Sequence, residues 1–271
     1  MDRHPAPTRR SKDWASWLPP SLRGHAAILY AYVRLEVSRT LRSRQYQLLA
    51  IALPIGLLLL DVRVGAGGQR DPALAGADAS AYALAAMATL GTLGATLAAN
   101  GNRLAADRAD GWVRTLMLSP MSRFDMLFGR LVAGVVSVGG PILVVITAGA
   151  LLHGAGSTAG TWLQLVVSLW IGAVPLALLG MVVGLFLRRD AAIAAVLALW
   201  LGLAYGGGLL APLATPPVDI ATIGRVLPSF LLDDLVWHEL LGQGPSARDI
   251  ALVAAESLAV GSLIVWNRRS A

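Results

Sequence analysis

Six long apolar runs dominate the sequence and constrain its fold more than any other feature. Each is about 17 to 27 residues long, close to the 20 residues that a helix needs to cross a hydrocarbon core. Hydrophobic residues make up 56% of the chain and charged residues only 14%, outside the range of ordinary soluble domains. The sequence therefore predicts an all-α membrane protein with six transmembrane helices in one domain, residues 28–271. The predicted spans cover about residues 48–64, 82–99, 126–152, 162–187, 191–213 and 250–266.

The segment before the first span is predicted to lie along the membrane surface. Residues 1–27 contain Pro and Arg, lack the apolar core of a signal peptide, and are interpreted as a cytoplasmic arm. Residues 28–44 place apolar side chains at i+4 steps beside a polar stripe, which is typical of an amphipathic interfacial helix. The alternative is a cytoplasmic extension of the first span. The apolar stripe contains Leu29, Val33, Val37 and Leu41, and the predicted membrane-interface arginines are Arg34, Arg39 and Arg42.

The distribution of basic residues predicts the orientation of the spans. With the N-terminus inside, 18 of the 22 Lys and Arg residues fall on one side of the membrane and four on the other. Basic residues in short loops are enriched on the cytoplasmic side. The sequence therefore predicts a multi-pass protein with both termini in the cytoplasm, and it places the polar segment 100–130 inside the cell. The net charge of +6 is assigned to this bias and not to binding of nucleic acid.

Several chemistries are excluded by composition and spacing. The chain has no cysteine, so it has no disulfide or thiolate metal site, and its four histidines stand too far apart to suggest metal-ligand spacing. Its single lysine, Lys12, follows Ser11 and not glycine, so no GxxxxGK[ST] phosphate loop exists. Paired acids or a Ser–His couple at matching depth, which an intramembrane enzyme would need, are not visible. The chain is therefore not expected to be an enzyme or to bind a cofactor by itself.

The segment from Asn100 to Arg130 is the one long polar interruption between two strongly apolar runs. It carries five arginines and three aspartates and is predicted to lie in water or against a partner, with a helix over 103–114. Ser119-Pro120 ends this unit, and the Ser122 to Asp125 capping-box pattern predicts the start of the third span. Trp and Arg beside apolar residues favour a docking surface. The alternative is a solvated loop with local ion pairs, Arg103 with Asp107 and Asp110 with Arg114.

The run 107–123, DRADGWVRTLMLSPMSR, resembles the segment between spans two and three in permeases of type-2 ATP-binding-cassette (ABC) exporters. Those permeases commonly have Glu where Asp107 stands, a mild departure. The helix before the first span, the twin Arg188-Arg189 and the Pro-containing helices predicted over 215–247 are also similar. The resemblance implies that 107–120 forms a coupling helix seated on a separate ATPase. The residues it marks for coupling are Asp107, Arg108, Gly111, Trp112, Arg114, Leu116, Ser119 and Pro120.

The same resemblance implies partners, substrate and location. It implies two permease copies, expected to be a homodimer, and two ATPase subunits that bind the ATP and Mg²⁺. The substrate class it implies is hydrophobic or amphipathic, such as a drug, an antibiotic or a lipid-like molecule moved outward through a bacterial-type plasma membrane. A lipid or polysaccharide export permease is the alternative.

Glu256 is the one acidic residue well inside a predicted span. An intramembrane carboxylate is costly, so it is a candidate for the transport pathway or for a buried pairing. A proton-coupled carrier using Glu256 is a further, less favoured alternative. The 215–247 segment is predicted to form short helices that are external or partly re-entrant, and its acidic residues Asp233, Asp234 and Glu239 are interpreted as a solvated helix face.

Overall fold

The computed structural model describes residues 20–64, 79–153, 159–210, 224–240, 244 and 247–267. Within these ranges every regular element is a helix. The predicted external loop after the first span and most of the N-terminal arm lie outside the described residues. The helices are α1 Pro20–Leu41, α2 Arg44–Gln47, α3 Leu53–Val64, α4 Ala79–Leu97, α5 Arg103–Ala109, α6 Trp112–Leu116, α7 Arg123–His153, α8 Ala159–Phe186, α9 Arg189–Gly206, α10 Pro228–Leu240 and α11 Ala247–Asn267, with π-helical turns at Leu48–Ala52 and Ala98–Asn102.

Four helices of the described chain are long and apolar enough to cross a membrane: Ala83–Ala109, Arg123–Ala148, Gly160–Phe186 and Arg189–Gly206. The apolar helix from Leu48 to Leu60 is shorter. Helix α11, predicted as the sixth span, has 21 residues but carries Arg248, Asp249 and Glu256. The all-helical architecture is therefore confirmed with four such helices, and the count of six spans stays a prediction.

The first predicted span begins with a π-helical turn at Leu48–Ala52, followed by α3. The Leu53 N–H donates to the Leu48 carbonyl five residues earlier, so the wider turn leads directly into α3. Pro54, which has no N–H to donate, follows this turn as the second residue of α3.

The N-terminal helix differs from its prediction in its start and in its buried face. It begins at Pro20 and not at Ile28. It packs along α7, and the side chains it buries are Tyr32, Glu36 and Thr40, which follow one another at i+4 steps. Leu41, assigned to the apolar stripe, is 42% exposed. The inward face is therefore partly polar, and its Glu36 carboxylate finds partners on neighbouring helices, Arg103 and Arg130.

Helix α7 begins at the predicted capping box and continues past the Gly-Gly-Pro run at 139–141. The Asp125 N–H donates to Ser122 Oγ at 3.1 Å, and the Ser122 N–H donates to Asp125 Oδ2 at 2.8 Å, the reciprocal bonds of this motif. The helix then runs through Gly139, Gly140 and Pro141 to His153 without a break. The following span, α8, is close to its predicted range, whereas α9 ends at Gly206 and not at residue 213.

Helix α4 is the centre of the bundle. It packs on α3, α7, α8 and α10, and 94% of the residues in its apolar stretch are buried. Small residues allow close approach: a Cβ added at Gly94 on α4 would lie 2.4 Å from the Leu49 carbonyl oxygen, and one added at Gly180 on α8 would lie 3.2 Å from the Thr96 carbonyl oxygen on α4. The short helix α10 packs between α4, α8 and α11 instead of lying outside them.

Candidate functional site: the polar segment 100–130

The polar segment begins inside the bundle. The helix does not end at Ala99: it passes through the π-helical turn Ala98–Asn102 into α5. Asn100 is fully buried and donates from Nδ2 to the Thr96 carbonyl at 3.0 Å. A Cβ at Gly134 would lie 2.4 Å from Asn100 Nδ2, so this glycine makes room for the amide. The expectation that the whole segment faces water or a partner is wrong for its first third. These residues continue the helix inside the bundle, where they pack against α7 and α8.

A buried charge cluster joins α1, α5 and α7. Asp107, 4% exposed, accepts hydrogen bonds from Arg39 Nη2 at 2.7 Å and from Arg130 Nη2. Glu36, 2% exposed, accepts from Arg39 Nη1 at 3.0 Å. Glu36 Oε2 also lies 3.4 Å from Arg130 Nη2 and 3.8 Å from Arg103 Nη2. Each of the two buried carboxylates thus has guanidinium partners, which it needs because an unpaired charge in the interior would be very costly.

The cluster replaces the local ion pairs that the solvated-loop alternative required. Asp107 pairs with residues 68 and 23 positions away, and not with Arg103 on its own helix. Asp110 pairs at 3.0 Å with Arg189, the first residue of α9, and not with Arg114. Both aspartates therefore attach the segment to other helices, and the solvated-loop interpretation is wrong for these contacts.

The helix predicted over 103–114 is divided in two at Gly111. Its φ of +76° lies in the left-handed region, which glycine adopts without the steric cost of a Cβ. Trp112 begins α6, and its ring lies 5.2 Å from the Arg39 guanidinium carbon, a cation–π contact. Arg108 donates to the Gly184 carbonyl at 2.8 Å, near the end of α8. The short helix α6 is therefore held to α1 on one side, while α5 is held to α8 on the other.

The outer surface of the segment is apolar and basic. Leu118 is 88% exposed, the largest exposure among the large hydrophobic side chains of the described chain. Arg114 and Pro120 are exposed beside it, whereas Leu116 and Ser119 are half-buried. Ser119 Oγ donates to the Leu116 carbonyl at 2.5 Å and closes the turn before α7. A partner that approached this end would meet these exposed side chains first.

The structure separates the residues that the sequence analysis grouped. Asp107 is interior, Trp112 is half-buried against Arg39, and Arg108, Arg114 and Pro120 are exposed. Arg39 belongs to the charge cluster, while Arg34 and Arg42 on the same helix are exposed. Sequence analysis missed Glu36 and Arg130 as cluster members. The available signals were one glutamate in an arginine-rich amphipathic helix and one arginine in the second turn of an apolar span.

Glu256 lies on α11, half-buried, with one carboxylate oxygen, Oε2, that is buried and makes no hydrogen bond within the described ranges. No ion pair to it occurs there either. The described chain thus offers no partner for the pairing role that was one of the two expectations for this residue.

The acidic residues of α10 are not a solvated face. Asp233 is 6% exposed and Glu239 is 2% exposed. Glu239 accepts a hydrogen bond from Ser168 Oγ at 2.9 Å, which joins α10 to α8. The interpretation of α10 as an external, solvated helix is therefore wrong for these two side chains, because α10 inserts between longer helices.

Three potential metal ligands lie close together near the start of α11, although the spacing of the histidines predicted no metal site. One potential ligand atom each from Asp234, His238 and Asp249 lies within 4.8 Å of the others. The spacing of histidines alone could not reveal this group, because its third member comes from another helix. His238 Nδ1 already lies 2.7 Å from the Asp234 carbonyl oxygen.

Burial raises the pKa of Asp233 to about 8, and the neighbouring Asp234 carboxylate adds to the shift. In the unfolded chain this carboxyl titrates near pH 4. Between about pH 4 and pH 8 the folded protein therefore keeps a proton that the unfolded chain has lost, and stability decreases as the pH rises. Asp233→Asn should flatten the fall in melting temperature measured in detergent between pH 5 and pH 8. An unchanged slope would contradict the buried, protonated state.

The fold defines a class before any relative is considered: an all-helical, membrane-embedded protein with several apolar helices and a polar segment anchored between them. Comparison with curated proteins agrees with this class. The chain is 25% identical over 236 residues to "Putative transport permease YvfS" of Bacillus subtilis (strain 168), covering 86% of this chain and 94% of that protein. No family profile and no solved structure matches the chain. The likeness to a transport permease extends over most of its length, and the helical fold fits that class.

Proposed function

We propose that this chain is the permease subunit of an ABC exporter, present in two copies and driven by a separate ATPase that docks on 108–120. The observation that carries the proposal is the attachment of that segment and of Asp107 directly before it. The ion pairs of Asp107, the cation–π contact of Trp112 and a hydrogen bond from the Arg108 side chain to the Gly184 carbonyl join them to α1, α7 and α8. A displacement of α6 by a partner would therefore move several long helices together. The sequence has no phosphate loop, which supports the part of this proposal that assigns ATP and Mg²⁺ to the partner.

In this proposal six spans cross a bacterial plasma membrane with both termini in the cytoplasm. ATP-driven closure of the ATPase pair pushes the docking segment, and the two permease halves switch between inward-open and outward-open states. A hydrophobic or amphipathic substrate moves outward along the apolar interface between these two permease halves. The low aromatic fraction, 6%, favours such a substrate over a sugar, which would require stacking surfaces.

Leu118 offers the sharpest test of docking, because Trp112 is occupied by Arg39 and its removal would also loosen the fold. Leu118→Ser should weaken association with the ATPase that co-purifies with the wild-type chain by about tenfold to a hundredfold, since an exposed leucine that becomes buried contributes on that scale. The measurement is the amount of ATPase activity retained by the affinity-purified complex.

Leu151→Ser is the matched control for this test. Leu151 is 81% exposed, but it stands near the C-terminal end of α7, whereas Leu118 precedes the N-terminal end of that 31-residue helix. Since α7 is about 46 Å long, the two leucines lie at opposite ends of the bundle. Equal ATPase retention by both variants would contradict docking at 108–120, and transport by the purified chain without any ATPase would contradict the proposed class.

A proton-coupled carrier is the second candidate, and the unpaired Glu256 carboxylate favours it. Glu256→Gln would then abolish transport driven by a pH gradient in vesicles that contain this chain alone. In an ABC exporter those vesicles transport nothing without the ATPase and ATP, so the two readouts separate the candidates.

A further inference from the structure

Two adjoining cavities lie on this side of the bundle, and the docking segment lines the first of them. The first, about 480 Å³, lies among α5, α6, α7, α8 and α11, and its mainly apolar lining includes Leu104, Met126 and Leu127. The second, about 160 Å³, is almost wholly apolar and is lined by α7, α8 and α11. Leu127 and Ile264 line both cavities, so the two meet at these side chains, and the pair is called the groove below. An elongated molecule could occupy both parts at once.

Three arginines stand around the first cavity, and none lines the second. They are Arg108, Arg114 and Arg123, and all three side chains are exposed. Arg108 uses one N–H group on the Gly184 carbonyl. Arg114 and Arg123 have no carboxylate partner anywhere in the described ranges, in contrast to Arg39, Arg130 and Arg189. The wider end of the groove is thus a cationic site without its own counter-charge.

The narrower end of the groove is bordered by stacked aromatic rings. The centroids of Phe124 and Phe128 are 5.9 Å apart with an interplanar angle of 10°. Phe124 is 60% exposed and Phe128 45% exposed, and both line the second cavity. Opposite them Gly261 on α11 has only Leu178 near the position of a Cβ, at 4.0 Å. The missing side chain leaves this side of the second cavity open, and we call the space between Phe128 and Gly261 the channel.

We propose that this groove binds one anionic phospholipid, with its phosphate-bearing headgroup on Arg108, Arg114 and Arg123 and an acyl chain between Phe128 and Gly261. Guanidinium groups match phosphate oxygens in charge and geometry. Basic pockets between transmembrane helices at the membrane surface are suited to anionic headgroups. An inorganic phosphate would use the arginines but not the apolar channel. The inference requires only that the chain is membrane-embedded and does not depend on the ATPase.

The lipid test uses the full chain, purified in detergent, titrated with dioleoylphosphatidylglycerol and with dioleoylphosphatidylcholine, and binding is read by native mass spectrometry. The anionic lipid should bind at least tenfold more tightly. Arg114→Gln combined with Arg123→Gln should weaken it about 30-fold, since each basic residue near such a headgroup contributes about fivefold. Arg225→Gln combined with Arg248→Gln is the control, because it removes the same charge from two exposed arginines outside the groove.

Gly261→Leu tests the acyl channel separately from the arginines. Filling the channel should weaken the phosphatidylglycerol complex and leave the weak binding of inorganic phosphate unchanged. Equal affinity for the two lipids, or equal losses in the two arginine pairs, would overturn the proposal.

Two further outcomes would identify another occupant and overturn the lipid site. If the Arg114/Arg123 pair lost the ATPase but kept the lipid, the surface would be a protein-docking site. If Gly261→Leu changed the oligomeric state measured by light scattering, the groove would be an interface between two copies.

Discussion

Arg130→Met should lower the free energy of unfolding by about 3–5 kcal/mol, the largest loss expected from one substitution of a charged residue in this chain. The side chain of Arg130 is 3% exposed and contacts both Glu36 and Asp107. Its removal takes away the one fully buried cation of the cluster and leaves Asp107 and Glu36 sharing the partly exposed Arg39, with Arg103 3.8 Å from Glu36. The measurement is the melting temperature in detergent, supported by the fraction of protein recovered as a single species after membrane extraction.

Arg189→Met is the matched control for the charge cluster. Arg189 also forms an ion pair with an aspartate, Asp110, but the two side chains are 54% and 58% exposed. Solvent-exposed pairs contribute about 0–1 kcal/mol, so this variant should melt close to the wild type. A double variant, Arg130→Met with Asp107→Leu, should lose less than the sum of its single variants, because it removes both members of one buried pair. Equal melting of the Arg130 and Arg189 variants would contradict a buried cluster.

Gly184→Ala and Gly202→Ala should change stability in opposite directions, although both glycines begin or end a small-xxx-small pair in the sequence. A Cβ at Gly184 would lie 2.7 Å from the Leu104 Cβ and 2.8 Å from the Gly101 carbonyl oxygen. Such overpacking costs about 1–3 kcal/mol. Gly202 has nothing within 4 Å of the same position, so alanine should stabilise α9 by up to about 1 kcal/mol. The check is the melting temperature of each variant in the same detergent.

If both alanine variants destabilised the protein equally, the close approach of α8 to α5 and to the π-helical turn Ala98–Asn102 would be contradicted. The small-xxx-small pattern by itself favours helix contact at both positions equally. It marks only where a side chain is missing, and not what lies opposite. Which glycine faces another backbone depends on how each helix is rotated, and that rotation follows from packing across the whole bundle.

Signals that act within a few residues were readable from the sequence. The capping box at Ser122 and Asp125 has the predicted bonds. The apolar runs predicted helices because a run of that length in lipid must satisfy its backbone hydrogen bonds internally. Ends of helices were less predictable: the helix of the second apolar run continues through the turn Ala98–Asn102 into α5, and the buried Asn100 amide fits there beside Gly134.

The composition of the polar segment suggested that its charges and its aromatic ring are for a partner. The structure assigns Asp107 and Trp112 to contacts within the chain, and it leaves Leu118 and Arg114 outside. This division could not be read from the run 107–123 itself. Glu36, Arg39 and Arg130 decide it, and they lie far from that run in the sequence or beyond its end.

The sequence by itself determined the class of the protein: helical, membrane-embedded and without a phosphate loop, since length, apolarity and local motif are properties of consecutive residues. Only the tertiary structure decided that Asp107 and Glu36 are buried and shared among three arginines. It alone decided that three other arginines surround a groove without a counter-charge. The physical reason is that the energy of a charge depends on its solvation and on partners brought near by packing, and neither is a property of neighbouring positions in the chain.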